Sequence, residues 1–181
     1  MPTIKTIETP IQGVTIELQS TFGTIDGGVM HMLPGGIQNP EGFGEQLLDI
    51  YAFTANGQNQ SRGGHYHNTL NELFFTMSGV ALWVLSDMRP ASPTHGMTHA
   101  LILSINTPAN TFDLPTYSFE DGSFPRLRVP SGVYHAIFPL TDERVTCVAL
   151  SSTPYNANDY VHPTQEEVPE LMAILNRIRN K

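Results

Sequence analysis

Two imidazoles two residues apart, His65 and His67, are followed by a carboxylate, Glu72, and much later by a third imidazole, His135. Side chains two apart on an extended strand leave the same face, so His65 and His67 point together if residues 65–67 are β. The polar turn Asn68-Thr69-Leu70-Asn71 lets a following strand bring Glu72 back to the same spot. His135 must arrive from a distant strand. Written out, the pattern is H-x-H-x4-E-x6-G, closing on Gly79, and P-x-G-x2-H over residues 130–135. Three imidazoles and one carboxylate are the donor set of a mononuclear site. His65, His67, Glu72 and His135 are therefore the predicted ligands of one divalent metal ion, which the residues do not narrow beyond Zn, Fe, Mn or Ni.

The rest of the chain favours strands. Short apolar or alternating runs cover residues 47–53, 65–67, 72–85 around a turn at Gly79, 101–105, 126–129, 136–140 and 145–150. Gly, Pro and Asn clusters separate them, which argues an all-β sandwich or barrel. Residues 1–20 alternate loosely and suit edge strands or a partner subunit, and 34–44 read as a loop. Helical spacing occurs only in the tail, where Leu171, Ile174, Leu175 and Ile178 fall at i, i+3, i+4 and i+7. Pro169 suits the first helical position. A capping box from Thr164 to Glu167 would leave Pro169 inside the helix, so the later start is preferred.

At 181 residues, 40% apolar and 14% charged, the chain has the composition of one compact domain with a real core. A net charge of −8 argues against nucleic acid or an anionic membrane as partner. An anionic small molecule would need local arginines, for which Arg62, Arg89, Arg126 and Arg128 are candidates. Cys147, the single cysteine, lies in an apolar run and reads as a buried inert thiol. Residues 1–18 lack the pattern of a signal peptide, and no run has the length of a membrane span, so the expected location is cytoplasmic.

The two motifs resemble those of the cupin superfamily, antiparallel barrels with a pocket at one mouth. The family's leading glycine is Asn59 here and its trailing asparagine is Pro139, but the ligand positions match. A closer resemblance, over roughly residues 45–162, is to dTDP-4-dehydrorhamnose 3,5-epimerase. It rests on Arg62-Gly63-Gly64-His65, on Asp87-Met88-Arg89 with Ser92-Pro93-Thr94-His95-Gly96, and on Pro130 to His135. Thr153-Pro154-Tyr155-Asn156 and Asp159-Tyr160 resemble the ends of related sugar-nucleotide isomerases. The resemblance implies a single cupin (jelly-roll) β-barrel over 1–181. Its core would span about 45–153, with N-terminal strands in 1–33 and a short C-terminal helix at about 169–179. It also implies a nucleotide-linked sugar as the small-molecule substrate and, since such barrels pair by exchanging edge strands, a homodimer.

In the epimerase, the histidine matching His65 removes a proton beside a ketone, a lysine helps hold the enolate, and a tyrosine returns a proton. Here the lysine position is Glu72, the tyrosine position falls near Val148, and a glutamine two beyond the base is His67. The expected activity is therefore isomerisation or epimerisation of a carbonyl sugar with a metal as Lewis acid. His65 or Tyr134 would move the proton. Tyr134 and Tyr66 flank inward residues, and such neighbours point outward. Arg62, Phe74 and Trp83 are the substrate-binding candidates, with Thr76 beside them. Two other functions fit the same donors: an Fe(II)-dependent dioxygenase of a small molecule, and a non-catalytic small-molecule-binding module. His95 and His99 fall in a predicted loop, and His31 and His162 carry no partner signal.

Overall fold

The computed structural model describes residues 3–24, 27–30, 32–33, 46–58, 60–119 and 123–180. The predicted loop at 34–44 and His31 lie outside them. In chain order the strands are β1 (Thr3–Glu8), β2 (Thr15–Thr24), β3 (Gly27–Met30), β4 (Asp49–Asn56), β5 (Arg62–His67), β6 (Glu72–Ser78) and β7 (Val80–Asp87). Then come β8 (Thr98–Ser104), β9 (Thr116–Ser118), β10 (Ser123–Val129), β11 (Val133–Pro139), β12 (Arg144–Ser151) and β13 (Tyr160–Val161). A 3-10 turn, Ala157–Asp159, leads into β13, and α1 spans Leu171–Arg179.

The strands form two sheets. The first runs β1-β2-β10-β6-β12-β4, with β3 attached to β2, and the second runs β13-β5-β11-β7-β8-β9. Period-two alternation decides what each face meets. Between the sheets, Ile16, Phe74, Leu127, Cys147 and Ala149 pack against Trp83, Leu85, Leu101, Val133 and Ile137. On the outer face of the second sheet, Leu171 and Leu175 of α1 cover Leu82, Val84, Ile102, Tyr134 and Ala136. Leu73, Phe75, Phe124 and Leu150 form a third cluster on the other side of the first sheet. Cys147 is fully buried, as its apolar run requires, and burial pushes its thiol up to about 12.

Two expectations change. The closed barrel is not formed: among the described residues no ladder joins one sheet to the other. The outer edge of β5 is taken by β13, where Tyr160 pairs with His67 and Val161 with Tyr66, so no strand of the first sheet can bond there. The helix begins after Pro169, because Glu170 adopts a left-handed conformation (φ 59°) and turns the chain before Leu171. Thr98 Oγ1 donates to the Pro169 carbonyl at 2.7 Å and ties this approach to β8. The Thr164–Glu167 pair does form, with Thr164 N–H donating to Glu167 Oε2 at 2.7 Å, but it closes a turn and starts no helix. Among the described residues no helix is long and apolar enough to cross a membrane.

One glycine is needed to set the site. Gly63 has φ 77°, and a Cβ there would lie 2.6 Å from the His135 carbonyl oxygen. The ladder between β5 and β11 shifts register at this point, so that His65 pairs with His135 and Gly63 with Ala136. A bulge of this kind re-aims side chains, here His65 and His135 toward one another.

Candidate metal and catalytic centre

The predicted donors converge. β5 presents His65 and His67 inward, and β11 presents His135 opposite His65. Ring nitrogens of His65, His67 and His135 lie within 4.8 Å of one another. Glu72, the first residue of β6, comes from the opposite sheet. Its Oε2 sits 3.5 Å from His67 Nε2 and 3.4 Å from His135 Nε2. His67, Glu72 and His135 are buried, whereas His65 is only partly so.

The orientation of the rings bears on what they can hold. His135 Nδ1 lies 3.2 Å from the Val133 carbonyl oxygen, which can only accept, so the ring proton belongs on Nδ1. His67 Nδ1 lies 3.5 Å from the Asp159 carboxylate, which favours the same tautomer. Both rings then turn an Nε2 lone pair toward one carboxylate oxygen. Among the described residues, neither ring nitrogen of His67 nor Glu72 Oε2 has a hydrogen-bond partner, so Asp159 meets His67 Nδ1 as a close charge contact at 3.5 Å. Three buried acceptors facing one another repel unless something positive lies between them. The 3.4 and 3.5 Å spacings from Glu72 Oε2 to the two Nε2 atoms suit donors shared by one ion, while the three imidazoles stand wider, within 4.8 Å of one another. These residues fit a divalent cation, with His65 within reach as a fourth donor.

Burial dominates the electrostatics. It lowers His65 to about 4, with help from neighbouring His67 and His162. Burial also lowers His67, against the pull of Asp159, and takes His135 well below the imidazole range. Glu72 is pushed up to about 8 by burial, although the hydrogen bond from Tyr51 opposes this. The Tyr51 hydroxyl donates to Glu72 Oε1, and burial followed by the Glu72 charge raises its phenol far above the usual range.

A cavity of about 140 Å³ opens beside these groups. The first sheet contributes Tyr51, Phe53 and Phe74; the second contributes Arg62, His65 and His135, with Tyr160 at the side. A neighbouring cavity of about 300 Å³, which includes Asp49, Ser151 and Tyr155, shares Tyr51 and Tyr160 with it.

Of the substrate-binding candidates, Arg62 and Phe74 line this cavity. Trp83 does not: it is buried in the core, its ring 4.8 Å from that of Phe74. Tyr134 is also displaced from its expected role. It follows the alternation of β11 onto the outer face, among Leu82, Ala136 and Leu171, away from the histidines. Two of the candidate arginines are engaged elsewhere, Arg126 with Glu17 and Arg89 with Asp87.

Tyr51 and His162 carried no sequence signal that singled them out, and Asp159 and Tyr160 entered only through a resemblance that gave them no place in the site. Tyr51 sits in the predicted strand at 47–53 and alternates inward with Phe53, but nothing local says which wall lies opposite. Tyr160, Asp159 and His162 enter through β13 and its flanks, a pairing too short to read from periodicity. Tyr160 lies 4.8 Å from His65 and 4.4 Å from His67, ring to ring, and His162 lies 5.3 Å from His65.

Comparison with solved structures accords with this architecture. A dTDP sugar isomerase from Desulfovibrio desulfuricans superposes with a TM-score of 0.71 at 20% identity, over 90% of this chain and 92% of its own. A dTDP-4-dehydrorhamnose 3,5-epimerase from Bacillus anthracis gives 0.70 at 20% identity, over 91% and 87%. The structural neighbours are dTDP-4-dehydrorhamnose 3,5-epimerases of the cupin fold. A 3,4-ketoisomerase from Helicobacter canadensis is also similar, with a TM-score of 0.61 at 16% identity over 91% and 98%. No family model matches the chain, and no curated protein matches its sequence.

Proposed function

We propose that this protein is an epimerase or isomerase of a nucleotide-linked keto sugar, with His65 as base and Tyr51 as proton donor. The observation that carries the reading is their placement: His65 and Tyr51 line one cavity from opposite sheets. Inverting a carbon requires a proton to leave one face and another to arrive on the other. A single-sided site cannot do this without turning the substrate over.

His65 is held unprotonated at neutral pH by its burial and its imidazole neighbours. It takes the proton from the carbon beside the carbonyl, leaving an enolate. Tyr51, kept as a neutral phenol, returns a proton to the opposite face, and solvent then restores both groups. One proton leaves, one arrives, and no redox change occurs. Arg62 at the cavity wall offers a cation for a diphosphate, and Tyr160 and Phe74 offer apolar faces for the sugar. His67, His135 and Glu72 would hold a divalent ion, with His65 as fourth donor when the cavity is empty. Such an ion, when bound, supplies Lewis-acid polarisation of the carbonyl.

The test is solvent-deuterium exchange into a dTDP-4-keto-6-deoxy sugar, followed by NMR. Wild type is expected to exchange and invert. His65→Asn is expected to lose both. Tyr51→Phe is expected to keep exchange while inverted product falls about 100-fold or more. Absence of exchange in wild type with dTDP- and UDP-linked 4-keto sugars would sink the reading, and Fe(II)-dependent oxygen uptake would replace it with an oxygenase.

A further inference from the structure

Asp159 is the acidic residue of the 3-10 turn before β13, and it is buried, at 6% exposure. It makes an unusual number of contacts with one short stretch. Its Oδ1 accepts from Thr69 N–H at 3.0 Å and from Thr69 Oγ1 at 2.9 Å. Its Oδ2 accepts from Leu70 N–H at 3.2 Å, and its main-chain carbonyl accepts from Asn68 N–H at 3.1 Å. That stretch is the turn joining His67 to Glu72, so Asp159 controls how two facing site residues are spaced. The same Oδ2 also lies 3.5 Å from His67 Nδ1.

We propose that Asp159 is a positioning residue that fixes the tautomer of His67, holding the proton on Nδ1 so that Nε2 faces Glu72 as a lone pair. The proposal rests on the cation site described above, where that lone pair would serve as a donor. Carboxylate-to-imidazole contacts behind a donor nitrogen are a general way to orient a ligand and raise its basicity. His135 has the Val133 carbonyl behind its Nδ1, whereas His67 has the Asp159 carboxylate behind its own, at 3.5 Å.

The substitution Asp159→Asn changes the contact to His67 Nδ1 together with the Leu70 N–H contact to the same oxygen, and the tautomer readout separates the two. Asparagine keeps one oxygen for the two Thr69 donors and replaces Oδ2 by an NH2 donor. A donor facing His67 Nδ1 favours the opposite tautomer, with the proton on Nε2 pointing into the site. A purely structural role predicts lost stability and an unchanged tautomer.

Histidine 15N spectra of the full chain, with His67 assigned through His67→Gln, read the tautomer directly in metal-free protein. Wild type is expected to carry Nδ1–H and Asp159→Asn to carry Nε2–H. Co(II) titration, followed by visible absorption, is expected to show affinity about 10- to 100-fold weaker in Asp159→Asn. Thr69→Ala, which leaves Oδ2 and His67 untouched, is expected to lower stability yet hold Co(II) within about twofold of wild type. An Nε2–H signal from His67 in wild type overturns the proposal without any variant, should Asp159→Asn fail to fold. An unchanged tautomer in folded Asp159→Asn overturns it too. A tautomer that switches between wild type and Asp159→Asn, in a wild type that binds no Co(II), removes the cation reading and leaves the positioning of His67 standing.

Discussion

His135 and Tyr134 are neighbours in the chain, yet β11 turns one toward the cavity and the other under α1. Tyr134→Phe is therefore expected to keep exchange and inversion within about twofold of wild type, because its hydroxyl has no path to a substrate among the histidines. A loss as large as that expected for Tyr51→Phe would restore Tyr134 as the proton donor. Glu72 is a sharper case. In Glu72→Gln the remaining oxygen still accepts from Tyr51, while the new NH2 faces the lone pairs of His67 and His135. The acceptors then satisfy one another without a cation. Divalent-metal affinity is expected to fall by more than about 100-fold while thermal stability of the metal-free protein holds or rises. Metal analysis beside a melting curve checks both, and a Glu72→Gln protein that still purifies with stoichiometric metal would remove Glu72 from the donor set.

Elements set the positions that these residues exploit. At Gly63 a side chain would meet the His135 carbonyl at 2.6 Å in a backbone conformation that L residues avoid. Gly63→Ala is expected to cost about 2 kcal/mol or more and to push β5 off β11, lowering metal affinity with stability. Urea unfolding with Co(II) titration measures the pair of effects. The segment after β7 is a different kind of element. Asp87 is fully buried and accepts from Arg89 Nε at 2.7 Å, Ser92 Oγ at 2.6 Å and Thr94 Oγ1 at 2.6 Å. Arg89 in turn donates to the Gln12 carbonyl at 2.7 Å, tying this loop to the β1–β2 connection. Burial raises the Asp87 carboxyl, but the hydrogen bonds outweigh it and hold the group well below its ordinary 3.8. A carboxyl depressed on folding contributes stability above its unfolded value and loses it as pH falls toward the folded value. Urea midpoints of wild type are thus expected to drop between pH 5 and about pH 2, and Asp87→Asn is expected to show a smaller drop from a lower start. Equal slopes for the two proteins would contradict this account. The Asp-x-Arg and Ser-Pro-Thr residues that supported the resemblance are, in this chain, a structural knot.

At the scale of the whole molecule, the second sheet divides its labour between its faces, one bearing the histidines and the other α1. Much of this was legible in the sequence. The strands and the donor set follow from period-two alternation and from residues two apart, which are local properties. The tail helix follows from its 3.6-residue spacing, and the outward turn of Tyr134 follows once His135 is placed inward. Tyr51 opposite His65, Asp159 behind His67 and β13 on the edge of β5 were not legible. Each depends on which strands meet, and a two-residue pairing leaves no periodic trace. The open edge between the sheets escaped for the same reason. This division makes a testable separation between stability and function. Leu175 of α1 is buried against the second sheet, on the face away from the histidines. Leu175→Ala is expected to destabilise by about 2–5 kcal/mol, through lost burial and the void left behind. Because the histidines sit on the opposite face and take their alignment from β5, β11 and β6, deuterium exchange and metal affinity measured well below the melting temperature are expected to match wild type. If instead they fall in step with stability, the two faces of the sheet are mechanically coupled, and the site depends on the helix as much as on the strands that carry it.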